Sequence, residues 1–214
     1  MIKICGTTSI PDAQLAARAG ADCIGIVVNH PASPRHVSLE TARAIAASVA
    51  IGVVAVSVNQ SLDSLLEIAE ILKPHALQLH GDESSALVRE LVINAPNVEI
   101  WKAIAGDEAT LRGAAKLYTD AGAQALVVDA RAHTKTGTIY GGTGQTADWD
   151  AARALSDAGF RVILAGGLTL QNMADALQIA RPWGADVVSG VEARKGVKDA
   201  EKVRAFVANA RARP

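Results

Sequence analysis

With 214 residues, half of them hydrophobic and a fifth charged, the chain is long enough to bury a large core and has an ordinary globular profile. A formal net charge of −1 gives no long-range field toward nucleic acid or an anionic membrane, and 3% aromatic residues are too few for base stacking. No apolar run has the length of a membrane span, and Met1-Ile2-Lys3-Ile4-Cys5-Gly6 does not read as a signal peptide, so a cytoplasmic chain is expected.

Strand and helix signals alternate from the start. Ile2–Cys5 reads as a strand, and Ser9 caps a helix that carries Pro11 in its first turn and stops at Ala19-Gly20. Strand two is Cys23–Val28, followed by a helix over Ser38–Val49, and strand three is Gly52–Val58. A helix over Leu62–Leu72 stops at Lys73-Pro74, and strand four is Ala76–Leu79. Then come a helix over Glu83–Ile93, strand five at Glu99–Ile104, a helix over Glu108–Asp120 and strand six at Ala125–Val128. After a long connection a helix runs from Trp149 to Ala158, and strand seven begins at Arg161–Leu164. Leu170–Ala180 leads to strand eight at Asp186–Val188, and Ala200–Ala210 is the last helix.

Eight strand–helix units without a boundary linker predict an α/β protein, one (β/α)₈ TIM barrel domain over residues 1–214. An open doubly wound sheet also alternates, but rarely carries eight such regular units. The connection from Asp129 to Ala147 exceeds the length of a simple turn and is expected to form a lid. Within it Gly142–Ala147 matches G-x-G-x-x-A, yet stands too far from its strand for a dinucleotide site.

The active site of such a barrel lies at the C-terminal ends of its strands. The polar residues expected there are Cys5, Asn29, Asn59, His80, Asp129 and Ser189, with Arg35 in the second βα loop. Two small-residue turns, Gly166-Gly167 and Ser189-Gly190, end strands seven and eight, where bare backbone N–H groups can hold phosphate. Lys3 shares the inward face of strand one with Cys5. As a thiolate Cys5 can act as base or nucleophile, although a buried inert thiol is the commoner fate. Asp129 can be a general acid or merely a cap, and Arg35 can fork onto a substrate carboxylate or remain a solvated loop charge. His80 is expected to hold loops together by hydrogen bonds. Cys5 and Cys23 are expected to stay unpaired, at opposite ends of the sheet. The five histidines show no paired metal-ligand spacing, so no metal is expected.

Taken together, the motifs resemble phosphoribosylanthranilate isomerase of tryptophan biosynthesis. They are K-I-C-G-T-T at Lys3–Thr8, G-A-D at Gly20–Asp22, S-P-R-H-V at Ser33–Val37 and L-Q-L-H-G-D-E at Leu77–Glu83. Val128-Asp129, G-G-T-G at Gly141–Gly144 and Asp148-Trp149 follow. L-A-G-G-L at Leu164–Leu168, D-V-V-S-G-V-E at Asp186–Glu192 and G-V-K-D at Gly196–Asp199 complete the series. The resemblance covers nearly the whole chain, and its joint order and spacing are specific. It implies Cys5 as general base, Asp129 as general acid and Arg35 as the anthranilate-carboxylate ligand. It also implies Gly166, Gly167, Ser189 and Gly190 around the phosphate, with Asp186 ordering the sugar end. The implied reaction is a cofactor-independent Amadori rearrangement of a phosphorylated small molecule, by a monomer or homodimer.

One departure is visible. Family members usually carry a Phe-rich G-F-x-F in strand two, whereas this chain has Gly25-Ile26-Val27-Val28 followed by Asn29-His30-Pro31. Two alternatives share parts of the pattern. The sister isomerase of histidine biosynthesis ends strand one in an aspartate, which Cys5 replaces here. A catalytically dead phosphoribosyl-binding protein would have no use for both Cys5 and Asp129.

Overall fold

The computed structural model describes residues 1–134, 137–140 and 146–212. Eight parallel strands close on themselves: β1 (Ile2–Ile4), β2 (Cys23–Val28), β3 (Gly52–Ser57), β4 (Ala76–Leu79), β5 (Glu99–Ile104), β6 (Ala125–Val128), β7 (Val162–Leu164) and β8 (Gly184–Val187). Closure is made by β1, which pairs with β2 on one side (Lys3 beside Cys23) and β8 on the other (Lys3 beside Asp186).

Eight helices surround the barrel: α1 (Ile10–Arg18), α2 (Leu39–Ala47), α3 (Leu62–Leu72), α4 (Ser85–Asn94), α5 (Glu108–Asp120), α6 (Trp149–Asp157), α7 (Met173–Ala180) and α8 (Ala200–Arg211). Their starts are written in side-chain caps. Ser9, Ser38, Ser61, Ser84, Asp107, Asp148 and Asp199 each accept backbone N–H groups of the first turn. The alternating strand residues then divide the core in two. Outward residues such as Ile4, Ile24, Leu77 and Leu126 pack under the helices. Inward ones, including Cys5, Cys23, Val54, Val56, Trp101, Val127 and Ile163, fill the barrel. Trp101 is fully buried and meets the half-exposed Trp183 edge to face at 6.3 Å.

Several boundaries differ from expectation for identifiable reasons. Strand eight starts two residues early, because Ala185 pairs with Ile2, and ends before Val188, whose ψ of −85° leaves the extended region. Helix α7 starts three residues late: Asn172 turns its side chain back to the Thr169 N–H and the Gly167 carbonyl instead of capping. Glu83 does not enter α4. Its carboxylate accepts the N–H groups of Gly81 and Asn59 and pairs with the buried Lys102 at 3.0 Å.

The connection after β6, the stretch expected to form a lid, contains an antiparallel ladder, Arg131–Thr134 with Gly137–Tyr140. The G-G-T-G motif and most of G-x-G-x-x-A fall on residues 141–145, outside the described residues. Cys5 and Cys23 are free, but they lie in neighbouring layers of the barrel rather than at opposite ends of the sheet: Cys23 is level with Lys3, two residues before Cys5.

Candidate active site

The C-terminal rim encloses a cavity of about 320 Å³, the lower end of the usual size for a small-molecule site. Of the expected residues, Cys5, Arg35, His80, Asp129, Gly166, Gly167, Asp186 and Ser189 all line it. Gly190 is not among the described lining residues. Asn29 and Asn59 do not line it; they turn the chain after β2 and β3 with left-handed φ of 52° and 51°, a conformation asparagine tolerates.

Cys5 is buried, and Gly25 on the neighbouring strand provides its room: a Cβ there would stand 2.5 Å from Sγ. Burial pushes the Cys5 thiol up, against the nearby Lys3 ammonium, which favours the thiolate. Lys3 is itself fully buried and bound to Asp186 Oδ2 at 2.8 Å. Burial alone would lower the Lys3 pKa, but Asp186, with Cys5 and Cys23 adding to it, outweighs burial and the ammonium is held charged. The other Asp186 oxygen, Oδ1, is buried without a hydrogen-bond partner, and the residue lines the cavity.

Asp129 follows β6. Its Oδ1 accepts the Ala130 N–H at 2.7 Å, and its Oδ2 lies 3.0 Å from His80 Nε2. His80 Nδ1 in turn is 2.7 Å from the Gln78 amide nitrogen. An amide nitrogen only donates, so Nδ1 accepts and Nε2–H is left to donate to Asp129. Thus His80 does join loops, and the loop it joins carries Asp129. Gly166 (φ +73°) admits this placement, since a Cβ would meet Ala130 N at 2.8 Å and Asp129 Oδ1 at 2.9 Å.

Gly167 continues the first turn with φ +62°. The second turn, Ser189-Gly190, opens a single 3₁₀ turn at Ser189–Val191. The two turns are packed together, for a Cβ on Gly190 would collide with the Leu168 carbonyl. Bare backbone therefore converges on one side of the cavity.

Arg35 is not a solvated loop charge. It is 8% exposed, and its Nε and Nη2 donate to Glu192 Oε1 and Oε2, both at 2.8 Å. Glu192 was missed by sequence reasoning, as was Lys198, whose ammonium donates to the carbonyls of Cys5 (2.5 Å) and Val188 (3.2 Å) and to Glu192 Oε1 (3.4 Å). Both lie in segments already noted as motifs, V-E and G-V-K-D, but their partners are remote in sequence. Much of the remaining wall is apolar, with Val27, Val56, Val58, Ala32 and Pro34; His30, Ser33 and Gln78 add polar groups, and there is no Phe, Tyr or Trp among the described lining residues. Burial holds His30 below the ordinary histidine pKa, with His36 and His80 adding to the effect. Among the described residues no group of three or more His, Cys, Asp or Glu is placed to hold a metal, and no helix is long and apolar enough to cross a membrane.

The N-(5'-phosphoribosyl)anthranilate isomerase family model matches residues 2–209. The chain belongs to this family. An N-(5'-phosphoribosyl)anthranilate isomerase of Halobacterium salinarum is 41% identical over 217 residues, covering 100% of this chain and 96% of the relative. That of Neisseria meningitidis is 41% identical, covering 97% and 95%. The structure superposes on phosphoribosyl anthranilate isomerase from Thermotoga maritima with a TM-score of 0.84, at 33% identity and with 99% and 98% of the chains covered. A phosphoribosyl anthranilate isomerase solved with reduced 1-(o-carboxyphenylamino)-1-deoxyribulose 5-phosphate matches at 30% identity and TM-score 0.82, with the same coverage. The protein is thus an isomerase on a TIM barrel.

Proposed function

We propose that the chain, acting as one barrel domain, converts N-(5-phosphoribosyl)anthranilate to 1-(o-carboxyphenylamino)-1-deoxyribulose 5-phosphate, with Cys5 as general base and Asp129 as general acid. The observation that carries this reading is that Cys5 and Asp129 line one cavity together with the backbone turn at Gly166-Gly167. That is an acid, a base and a phosphate cradle around one small molecule.

Asp129, in its protonated form, gives its proton to the furanose ring oxygen as the C1–O bond breaks, leaving a cationic imine between C1 and the anthranilate nitrogen. The imine acidifies the C2–H bond, and the Cys5 thiolate removes that proton to form an enolamine. Protonation at C1 and loss of the C2 hydroxyl proton give the ketone. No electrons leave the substrate, so the rearrangement needs no redox partner. Each positioned proton transfer is worth roughly 10²–10⁴ in rate.

Around this pair, Gly166, Gly167, Ser189 and Gly190 hold the phosphate through backbone groups. The free Oδ1 of Asp186 accepts a sugar hydroxyl. Arg35 meets the anthranilate carboxylate, and the ring rests on the aliphatic wall formed by Val27, Val56 and Val58. The test is fluorescence-monitored consumption of phosphoribosylanthranilate by the wild type and by Cys5→Ala. Turnover that disappears in a folded mutant supports both the reaction and the base. A mutant with near-normal turnover removes Cys5 from the mechanism, and a silent wild type that still binds substrate overturns the activity.

A further inference from the structure

We propose that Glu192 is a specificity-determining positioning residue: it fixes the plane of the Arg35 guanidinium so that the cavity selects a carboxylated ring, and Lys198 ties that geometry to the chain at Cys5. The inference rests on Arg35 being the clamp for the anthranilate carboxylate. A guanidinium has five N–H donors in a rigid fork. Glu192 engages its side edge with both carboxylate oxygens at 2.8 Å. The fork can then no longer rotate about its long stem, and the donors that remain are held at the cavity wall.

The stem is confined as well. It lies over Gly6, where a Cβ would stand 2.7 Å from Arg35 Cδ and where φ of +70° already favours glycine. Glu192 is 7% exposed, and its carboxylate also receives the Gly196 N–H at 3.3 Å and the Lys198 ammonium at 3.4 Å. Two cations therefore share one carboxylate. Asp12, the other carboxylate nearby, accepts the backbone N–H of Lys198 (3.3 Å), and no contact to the ammonium accompanies it. Lys198 spends its other hydrogen bonds on the Cys5 and Val188 carbonyls. One buried carboxylate thus links the loop after β2 to the ends of β1 and β8. A charge-assisted, preorganised fork discriminates more sharply than a mobile one, because its ordering cost is met before the ligand arrives.

The test compares two stable ligands by calorimetry: reduced 1-(o-carboxyphenylamino)-1-deoxyribulose 5-phosphate and its anilino counterpart lacking the carboxylate. Wild type should prefer the carboxylated ligand by about 100-fold. Glu192→Gln should reduce that preference to about tenfold or less, through the carboxylated ligand alone. Arg35→Ala should abolish the preference. If Arg35→Ala loses the preference but Glu192→Gln keeps it, or weakens both ligands equally, the role of Glu192 is overturned while the clamp stands. If Arg35→Ala keeps the preference, the clamp itself fails, and the proposal with it. Should Glu192→Gln not fold, Glu192→Asp, which retains the charge one methylene further from the fork, carries the same comparison.

Discussion

His80 places its Nε2–H on Asp129 Oδ2 at 3.0 Å because Gln78 occupies the opposite ring nitrogen at 2.7 Å. The chain of three fixes both the tautomer of the imidazole and the direction of the carboxyl. Replacing Gln78 by Leu frees that tautomer, and replacing His80 by Asn removes the support. Both should lower kcat by about tenfold or more with little change in KM, because a misdirected carboxyl delivers its proton poorly. An unchanged kcat would show that the histidine only fastens loops.

Gly25 and Cys5 make a second close relation. Gly25→Ala introduces no backbone strain, since its φ is not positive, but the added methyl would sit 2.5 Å from Sγ and 3.0 Å from Lys3 Cε. The thiol must move. Overpacking of this kind costs about 1–3 kcal/mol, measurable by urea unfolding, while turnover should fall by about 100-fold because a general base works only within hydrogen-bond reach of its proton.

Inside the barrel, Lys3 and Asp186 form a buried ion pair at 2.8 Å. Removing one partner strands the other charge in a low-dielectric interior, so Asp186→Ala should cost about 3–5 kcal/mol of stability. The double change Lys3→Met with Asp186→Leu should restore much of it while leaving the enzyme inactive. Chemical denaturation of the wild type and the two variants checks this, and equal losses in the single and double variants would show that the pair is not the source.

Cys23 gives a pH signature. Burial pushes its thiol up to about 12, from an ordinary value near 9. Between those values the unfolded chain gives up its thiol proton and the folded one keeps it. The folded state then binds more protons, and stability falls as pH rises through that window, approaching about 1.4 kcal/mol per pH unit. Below pH 9 the term is flat. Cys23→Ala should therefore show a shallower decline in Tm between pH 9 and 11 than the wild type, and parallel curves would contradict the assignment.

Much of this site was legible from alternation alone. Once β1, β4 and β6 were placed, their C-terminal ends put Cys5, His80 and Asp129 at the rim, and period-two parity turned Lys3 into the barrel, as the structure has them. The glycine turns were visible because nothing but missing side chains lets backbone approach so closely. The partners were not legible. Glu192 meets a residue 157 positions away, and Lys198 one that is 193 away, so no local spacing marks them. The start of α7 was misplaced for a different reason: Leu170 and Gln171 read as helical, but Asn172 is engaged on the turn at Gly167 and the helix begins only after it.

The Gly166-Gly167 and Ser189-Gly190 turns share a wall so thin that Gly190 has no room for a methyl beside the Leu168 carbonyl. For anyone redesigning this rim, the two are one part. A library that diversifies residue 190 while leaving the 166–168 backbone fixed samples mostly collisions, and a new anion specificity will come from mutating both segments in the same clone.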